Sequence, residues 1–391
     1  MGLFAVVAAQ AMAVTLPPGP PPGNSAWVYD AQYQQGHRYG TKAGSFVDAL
    51  NRYNHGTARD HAITRVYPYG GSMEMYCGDD AADCRPDALK LIFDAHGHQS
   101  LAAYSQRLHP VDGQPVRVVP VIDGSIRGDY AGSLKGFNRL SPEMARAFAD
   151  KVARKMCADP KVSGVQFDLE PFDVKHKNGQ YYFYKRIAAD FAGCGGGACT
   201  ADSGKDAPVD PAHDPFGCVD AAHPDGLDFS VFGAAHDLAA HGPAGRHLKQ
   251  IMTAHHNGFL IVTLYDLSNS PSGHLTPLPA YKKKVQHQIR SAQRGAAALG
   301  VPYQFAVPAS ASGHEYGRCA GAGCRHAPAQ LPQLAYLQAA VSAVAASGVQ
   351  GDPLYLGTAV WAWSRHIGHG GMRFFPSQPA AAALAYLRAY L

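Results

Sequence analysis

Short apolar runs alternate with helix-patterned segments along the whole of this 391-residue chain. The runs that predict strands are Ala26–Gln32, His61–Tyr69, Val116–Ile122, Val162–Glu170, Leu227–Phe232, Phe259–Leu264, Tyr303–Val307 and Tyr355–Trp363. Between and after them, helical patterning predicts Ser45–Asn54, Pro86–Leu108, Ser141–Cys157, Tyr181–Phe191, Gly245–His255, Leu278–Leu299, Leu331–Ala346 and Ala380–Leu391. Ser141-Pro142-Glu143 has the order of a helix start: a capping hydroxyl, proline at the first position, then an acid in the first turn. Strand and helix in strict alternation predict an α/β fold, a single (β/α)8 TIM barrel with Cys-stapled loops. An open doubly wound sheet is the other fold with this alternation, but no GxGxxG follows a strand here.

The fourth run, VSGVQFDLEPF over residues 162–172, carries the densest chemistry. Strand side chains alternate between faces. Gln166, Asp168 and Glu170 therefore share one face, and Val165, Phe167 and Leu169 the other. Pro171 has no N–H to give a ladder, so the strand stops where the acids emerge. Two carboxylates at the end of a buried strand cost free energy unless something pairs or uses them. Their structural alternative is a pair of caps for the next helix. In a barrel, the C-terminal strand ends form the functional face. Asp123 after the third strand, Tyr265 and Asp266 after the sixth, and Trp361 and Trp363 in the eighth would collect there with them.

A formal net charge of +4 and the lack of any long basic block argue against a nucleic-acid partner. Residues 1–25 read as a signal-peptide-like leader and Pro-rich linker. The apolar stretch LFAVVAAQAMAV is too short to span a bilayer, and Ala11-Met12-Ala13 resembles a small-residue cleavage site. Residues 26–391 would form the catalytic barrel, with a long Gly-, Asp- and Pro-rich loop at about 192–226. Eight cysteines behind an export-like leader read as a disulfide framework in a secreted or periplasmic protein. Spacing favours the local pairs Cys77 with Cys84, Cys194 with Cys199 and Cys319 with Cys324, leaving Cys157 and Cys218. Neither CxxC spacing nor a helical His pair is present for zinc, so no metal and no cofactor are expected.

In these positions the chain resembles glycoside hydrolase family 18, the chitinase and endo-β-N-acetylglucosaminidase group. That family carries DGxDxDxE on its fourth strand. The matching stretch here is Ser163-Gly164-Val165-Gln166-Phe167-Asp168-Leu169-Glu170, with Ser163 and Gln166 at the first two acidic positions. Thr263-Leu264-Tyr265-Asp266 is similar to the family's MxYD, and Gly357-Thr358-Ala359-Val360-Trp361 to its GxxxW. Val121-Ile122-Asp123-Gly124 stands where the family has SxGG.

The resemblance implies a secreted, retaining hydrolase of β-linked N-acetylhexosamine glycans that uses the substrate's own acetamido group. Glu170 would be the general acid and then the base, and the neighbouring Asp168 would raise its pKa. Asp168 would hold the acetamido N–H and face the oxazolinium charge, and Tyr265 would bond the same group. Trp361 would floor the distorted sugar. Asp266 would bind a sugar hydroxyl; Asp123, Gln166 and Trp363 complete the expected substrate contacts. A neutral Gln166 can hydrogen-bond Asp168 but cannot take up a proton. Two other readings stand beside this one. One is a glycan-binding barrel without catalysis. The other is an acid-pair glycosidase on a non-acetamido sugar, with Asp168 or Asp123 as nucleophile. The expected partner in every case is an oligo- or polysaccharide, met by a monomer with no membrane span.

Overall fold

The structure is a computed structural model. It describes residues 19–28, 31–34, 37–40, 43–77, 84–92, 104–129, 132–194, 214–221, 223–267, 276–309, 315, 332–363 and 381–391. Eight parallel strands close into one barrel: β1 Asn24–Val28, β2 Ile63–Met75, β3 Val121–Ser125, β4 Gly164–Glu170, β5 Asp228–Gly233, β6 Gly258–Thr263, β7 Tyr303–Pro308 and β8 Tyr355–Trp363. Each strand pairs with its sequence neighbour, and β1 pairs with both β2 and β8, which closes the ring. The fold is a single (β/α)8 TIM barrel, as the alternation predicts. The surrounding layer contains α1 Ala43–Asn54, α2 Pro142–Cys157, α3 Gly179–Phe191, α4 Pro243–Met252, α5 Leu278–Leu299, α6 Gln333–Ala346 and α7 Ala381–Tyr390.

Local chemistry accounts for the boundaries. Ser141 accepts the Met144 N–H at the start of α2, with Pro142 behind it. Asn178 caps α3 in the same way through the Tyr181 N–H. Helix α5 ends at Gly300, whose φ of 70° is the left-handed turn that glycine makes at least cost. The third strand is broken. Arg117–Val118 pairs with β2, Pro120 interrupts the ladder, and β3 resumes at Val121.

Two stretches depart from the sequence expectation. Strand β1 ends at Val28, and Ala31–Gln34 forms an antiparallel ribbon with His37–Gly40. Pro86–Leu108 is not one helix. A single 3₁₀ turn, Pro86–Ala88, leads into the strand Leu89–Ile92, which pairs antiparallel with Ser72–Met75 where β2 overruns the barrel. Leu89 is buried, Lys90 exposed and Leu91 half-buried, a period-two pattern that this extension satisfies. Residues 104–107 are helical, and residues 93–103, with Asp94 and His96, lie outside the described residues.

The core has two compartments. Val165, Phe167 and Leu169 of β4 face the helical layer, where Phe167 packs edge-on against Phe183 and Tyr184 of α3 at 5.6 Å. Inside the ring, Trp27, Tyr67, Val119, Val121, Phe259, Ile261, Tyr265, Ala306, Leu356 and Ala359 form a second cluster. Beneath it, Gln304 accepts from Ser25 and Tyr67 and donates to the carbonyl of Gly23. Buried Arg65 and half-buried Arg117 both pair with Asp228. The polar end of the barrel interior is thus tied off away from the strands' C-terminal ends.

Cys77 bonds Cys84 as its spacing suggests, and the remaining pair, Cys157 and Cys218, is also joined, across 61 positions of sequence. Cys194 is disulfide-bonded as well. Its expected partner Cys199, together with Cys319 and Cys324, lies outside the described residues. The Cys157–Cys218 bridge anchors residues 214–221 to the end of α2. Replacing both cysteines by alanine is expected to lower the unfolding free energy by about 4 kcal/mol, the chain-entropy value for a loop of this size. Urea denaturation under non-reducing conditions checks it; an unchanged midpoint would mean the bridge constrains nothing.

Candidate active site

Register brings the acids together. Val121 pairs with Gln166, Asp123 with Asp168 and Ser125 with Glu170. Paired residues on neighbouring strands share a face, and strands lie about 4.8 Å apart. Asp123, Asp168 and Glu170 therefore stand on the inner face of the barrel, stepped toward its mouth. Gly124 lies between them on the outer face, where a Cβ would come within 2.6 Å of Leu134 and 3.2 Å of Leu169. The leucines of the outer layer therefore pack closely over β3 at this point.

Asp123 and Asp168 are half-buried, and the Oδ1 atom of each is buried without a hydrogen-bond partner. Burial pushes Asp123 up to about 7, against a hydrogen bond from Tyr69 and with help from the charge of Glu170. Asp168 is raised well above the ordinary carboxylate range, first by burial, then by Glu170 and Asp123. Glu170 ends the strand and reaches solvent. Its pKa is also raised, first by partial burial of the carboxyl among its neighbours and then because Asp266 and Asp129 repel its charge. Arg127 pulls the other way. A carboxylic acid with a raised pKa beside solvent is what proton donation to a bound molecule favours.

The sixth strand delivers the aromatic side of the site. Tyr265 is 3% exposed, and its ring stacks on half-buried Trp361 with centroids 4.4 Å apart and planes 14° off parallel. Asp266, exposed, takes a left-handed φ of 53°. Its N–H and that of Leu267 both bond the carboxylate of Glu315, a fully buried residue beyond β7. Glu315 was not selected by sequence. No strand or helix pattern in the sequence places it, and its one signal is an isolated acid after a barrel strand.

Other expected residues are placed differently. Gln166 is fully buried; its Oε1 accepts from the indole N–H of Trp27 at 3.2 Å, and its Nε2 donates to the Phe167 carbonyl at 2.7 Å. The expected Gln166–Asp168 bond is not formed, because both ends of the amide are engaged within the barrel wall. Ser163 precedes β4 at the opposite end of the strand from Glu170. Asp123 is not paired with Arg127, whose charge acts on Glu170 instead. Trp363 pairs through its backbone with Val28, and its side chain lies outside the described residues. Among the described residues, no group of three or more His, Cys, Asp or Glu is arranged to hold a metal ion.

No protein-family model and no curated protein matches the chain. Solved structures do. A triple mutant of the endo-β-1,4-glucanase from Xanthomonas axonopodis pv. citri superimposes with a TM-score of 0.53 at 9% identity, over 94% of this chain and 98% of that one. XacCel5A in complex with cellopentaose gives 0.52 at 10% identity, over 95% and 99%. A GH18 chitinase from Pseudoalteromonas aurantia gives 0.46 at 11% identity, over 87% and 94%, too low a score to carry an argument. The likeness is one of fold. It extends over nearly the whole chain, and it leaves the chemistry to be argued from the carboxylates themselves.

Proposed function

We propose that this chain is a secreted glycoside hydrolase of β-linked N-acetylhexosamine glycans, working by substrate-assisted retention. The observation that carries the reading is the stepped triad on the inner face of β3 and β4, with Glu170 outermost, its pKa raised, above Asp168 and Asp123. Glu170 donates its proton to the departing glycosidic oxygen. The acetamido carbonyl oxygen attacks the anomeric carbon as that bond breaks. Asp168 accepts the acetamido N–H and faces the positive charge that develops there. The Trp361 ring, backed by Tyr265, floors the sugar, and the Tyr265 hydroxyl bonds the acetamido group. Water then opens the oxazolinium ion, with Glu170 taking its proton. Disulfides suit an oxidising compartment, and no helix among the described residues is long and apolar enough to cross a membrane.

A second reading is favoured by the pairing of Asp123 with Asp168 and by the fold likeness to glucanases. In it one of those aspartates attacks a non-acetamido sugar directly, with Glu170 again as acid. Incubation with acetylated chitooligosaccharides, their deacetylated forms, N-glycans, peptidoglycan fragments and β-1,4-glucans, read by product mass spectrometry, separates the two. Cleavage of acetamido glycans alone is expected. Equal turnover of the deacetylated forms would overturn the substrate-assisted route.

A further inference from the structure

Strand β6 ends in a turn that sends two neighbouring side chains to different places. Along the strand, Phe259 and Ile261 face the barrel interior, and Leu260 and Val262 the helical layer. Leu264 packs outward and Tyr265 inward in the same alternation. Asp266 would next follow Leu264 into the helical layer. Instead it is exposed, and its charge is the foremost of those that act on Glu170. A φ of 53° at Asp266 breaks the alternation. That is left-handed backbone, which a residue other than glycine enters only at a cost.

The Leu264 N–H still donates to the Ala306 carbonyl of β7, at 2.8 Å. Beyond it the N–H groups of Asp266 and Leu267 have left the sheet, and one side chain takes both. Glu315 gives Oε2 to the Asp266 N–H at 2.9 Å and Oε1 to the Leu267 N–H at 2.5 Å. Successive N–H groups that converge on one anion are the product of such a turn, so the turn and the carboxylate specify each other. The clamp is itself anchored. The Glu315 carbonyl accepts the Thr276 N–H at 2.8 Å, and the Thr276 carbonyl accepts the Tyr336 hydroxyl of α6 at 2.6 Å. From α5, the Tyr281 hydroxyl donates to the Leu264 carbonyl at 2.7 Å and the Lys284 ammonium to that of Leu267 at 3.2 Å. We propose that Glu315 is a positioning residue for substrate: its carboxylate holds the turn at Asp266 and Leu267, and so keeps the Asp266 carboxylate at the mouth, where it binds a sugar hydroxyl. An amide in its place would offer one acceptor and turn a donor toward the second N–H. The sugar contact rests on the glycoside hydrolase reading; the clamp does not.

Amide hydrogen exchange, followed by NMR without ligand, reads the clamp. In the wild type the Asp266 and Leu267 amides are expected to be protected as the Leu264 amide is. In Glu315→Gln at least one of the two should exchange roughly tenfold faster while Leu264 keeps its rate. Fast exchange of both in the wild type would overturn the proposal, even if Glu315→Gln failed to fold. So would unmoved exchange in the variant, or an equal acceleration at Leu264, the mark of a merely structural loss. Kinetics on a cleaved glycan read the consequence. Glu315→Gln should raise KM roughly tenfold with a smaller change in kcat. A residue that acts through Asp266 loses its effect when that side chain is gone, so Glu315→Gln should add little to Asp266→Ala in the double variant. Equal losses in both backgrounds would overturn the positioning role. A chain that cleaves no glycan would end the hydrolase reading while its amides still show or lack the clamp, so the two failures are told apart.

Discussion

Glu170→Gln is expected to slow glycoside cleavage roughly a thousandfold while leaving oligosaccharide binding near its wild-type strength, the usual scale for losing a positioned general acid. The amide keeps the size and polarity of the side chain. It also leaves the step from Asp123 through Asp168 to the rim intact, because Glu170 ends its strand and holds no part of the core. Only the proton is removed. The wild-type rate should fall as pH rises through the raised Glu170 pKa, since the protonated form is the active one; burial, Asp266 and Asp129 set that limb, and Arg127 tempers it. Single-turnover cleavage of an acetamido oligosaccharide, with binding by calorimetry, checks both parts. A variant that cleaves as fast as the wild type would remove Glu170 from the chemistry altogether.

The barrel was legible because its strands are buried on both faces and read as continuous apolar runs; FLIVTL in β6 and YLGTAVWAW in β8 leave little else to form. Alternation likewise put Asp168 and Glu170 on one face before any coordinates did. Register was not legible. Nothing in the residues of β3 says that Asp123 pairs with Asp168 rather than slipping past it; the pairing is a tertiary fact. Gln166 misled for a related reason: its inward face was readable, but the indole of Trp27 that claims its amide comes from β1, 139 positions away. The segment after Pro86 shows the limit of periodicity. A few residues of LKLI fit either period, and the overrun of β2 decides for strand.

Replacing Asp123 by asparagine is expected to stabilise the protein at alkaline pH relative to acid pH. Burial, opposed by the Tyr69 hydrogen bond and aided by the neighbouring Glu170 charge, leaves the native carboxyl at about 7, against 3.8 for the free group. The folded state thus holds a proton that the unfolded chain releases. Its stability contribution is complete below about pH 4 and is lost as pH rises through about 7. Asparagine has no such proton to lose. The difference in unfolding free energy between variant and wild type should therefore shift in favour of the variant between pH 4 and pH 8, by on the order of 2–4 kcal/mol at one pKa unit per ~1.4 kcal/mol. Any packing cost of the amide is present at both ends of the range and cancels in the comparison. Urea melts of both proteins at pH 4 and pH 8 measure it directly. Parallel curves, with the same difference at each pH, would mean that Asp123 ionises in the native barrel as freely as in water, and that the inner face of β3 is wetter than its burial implies.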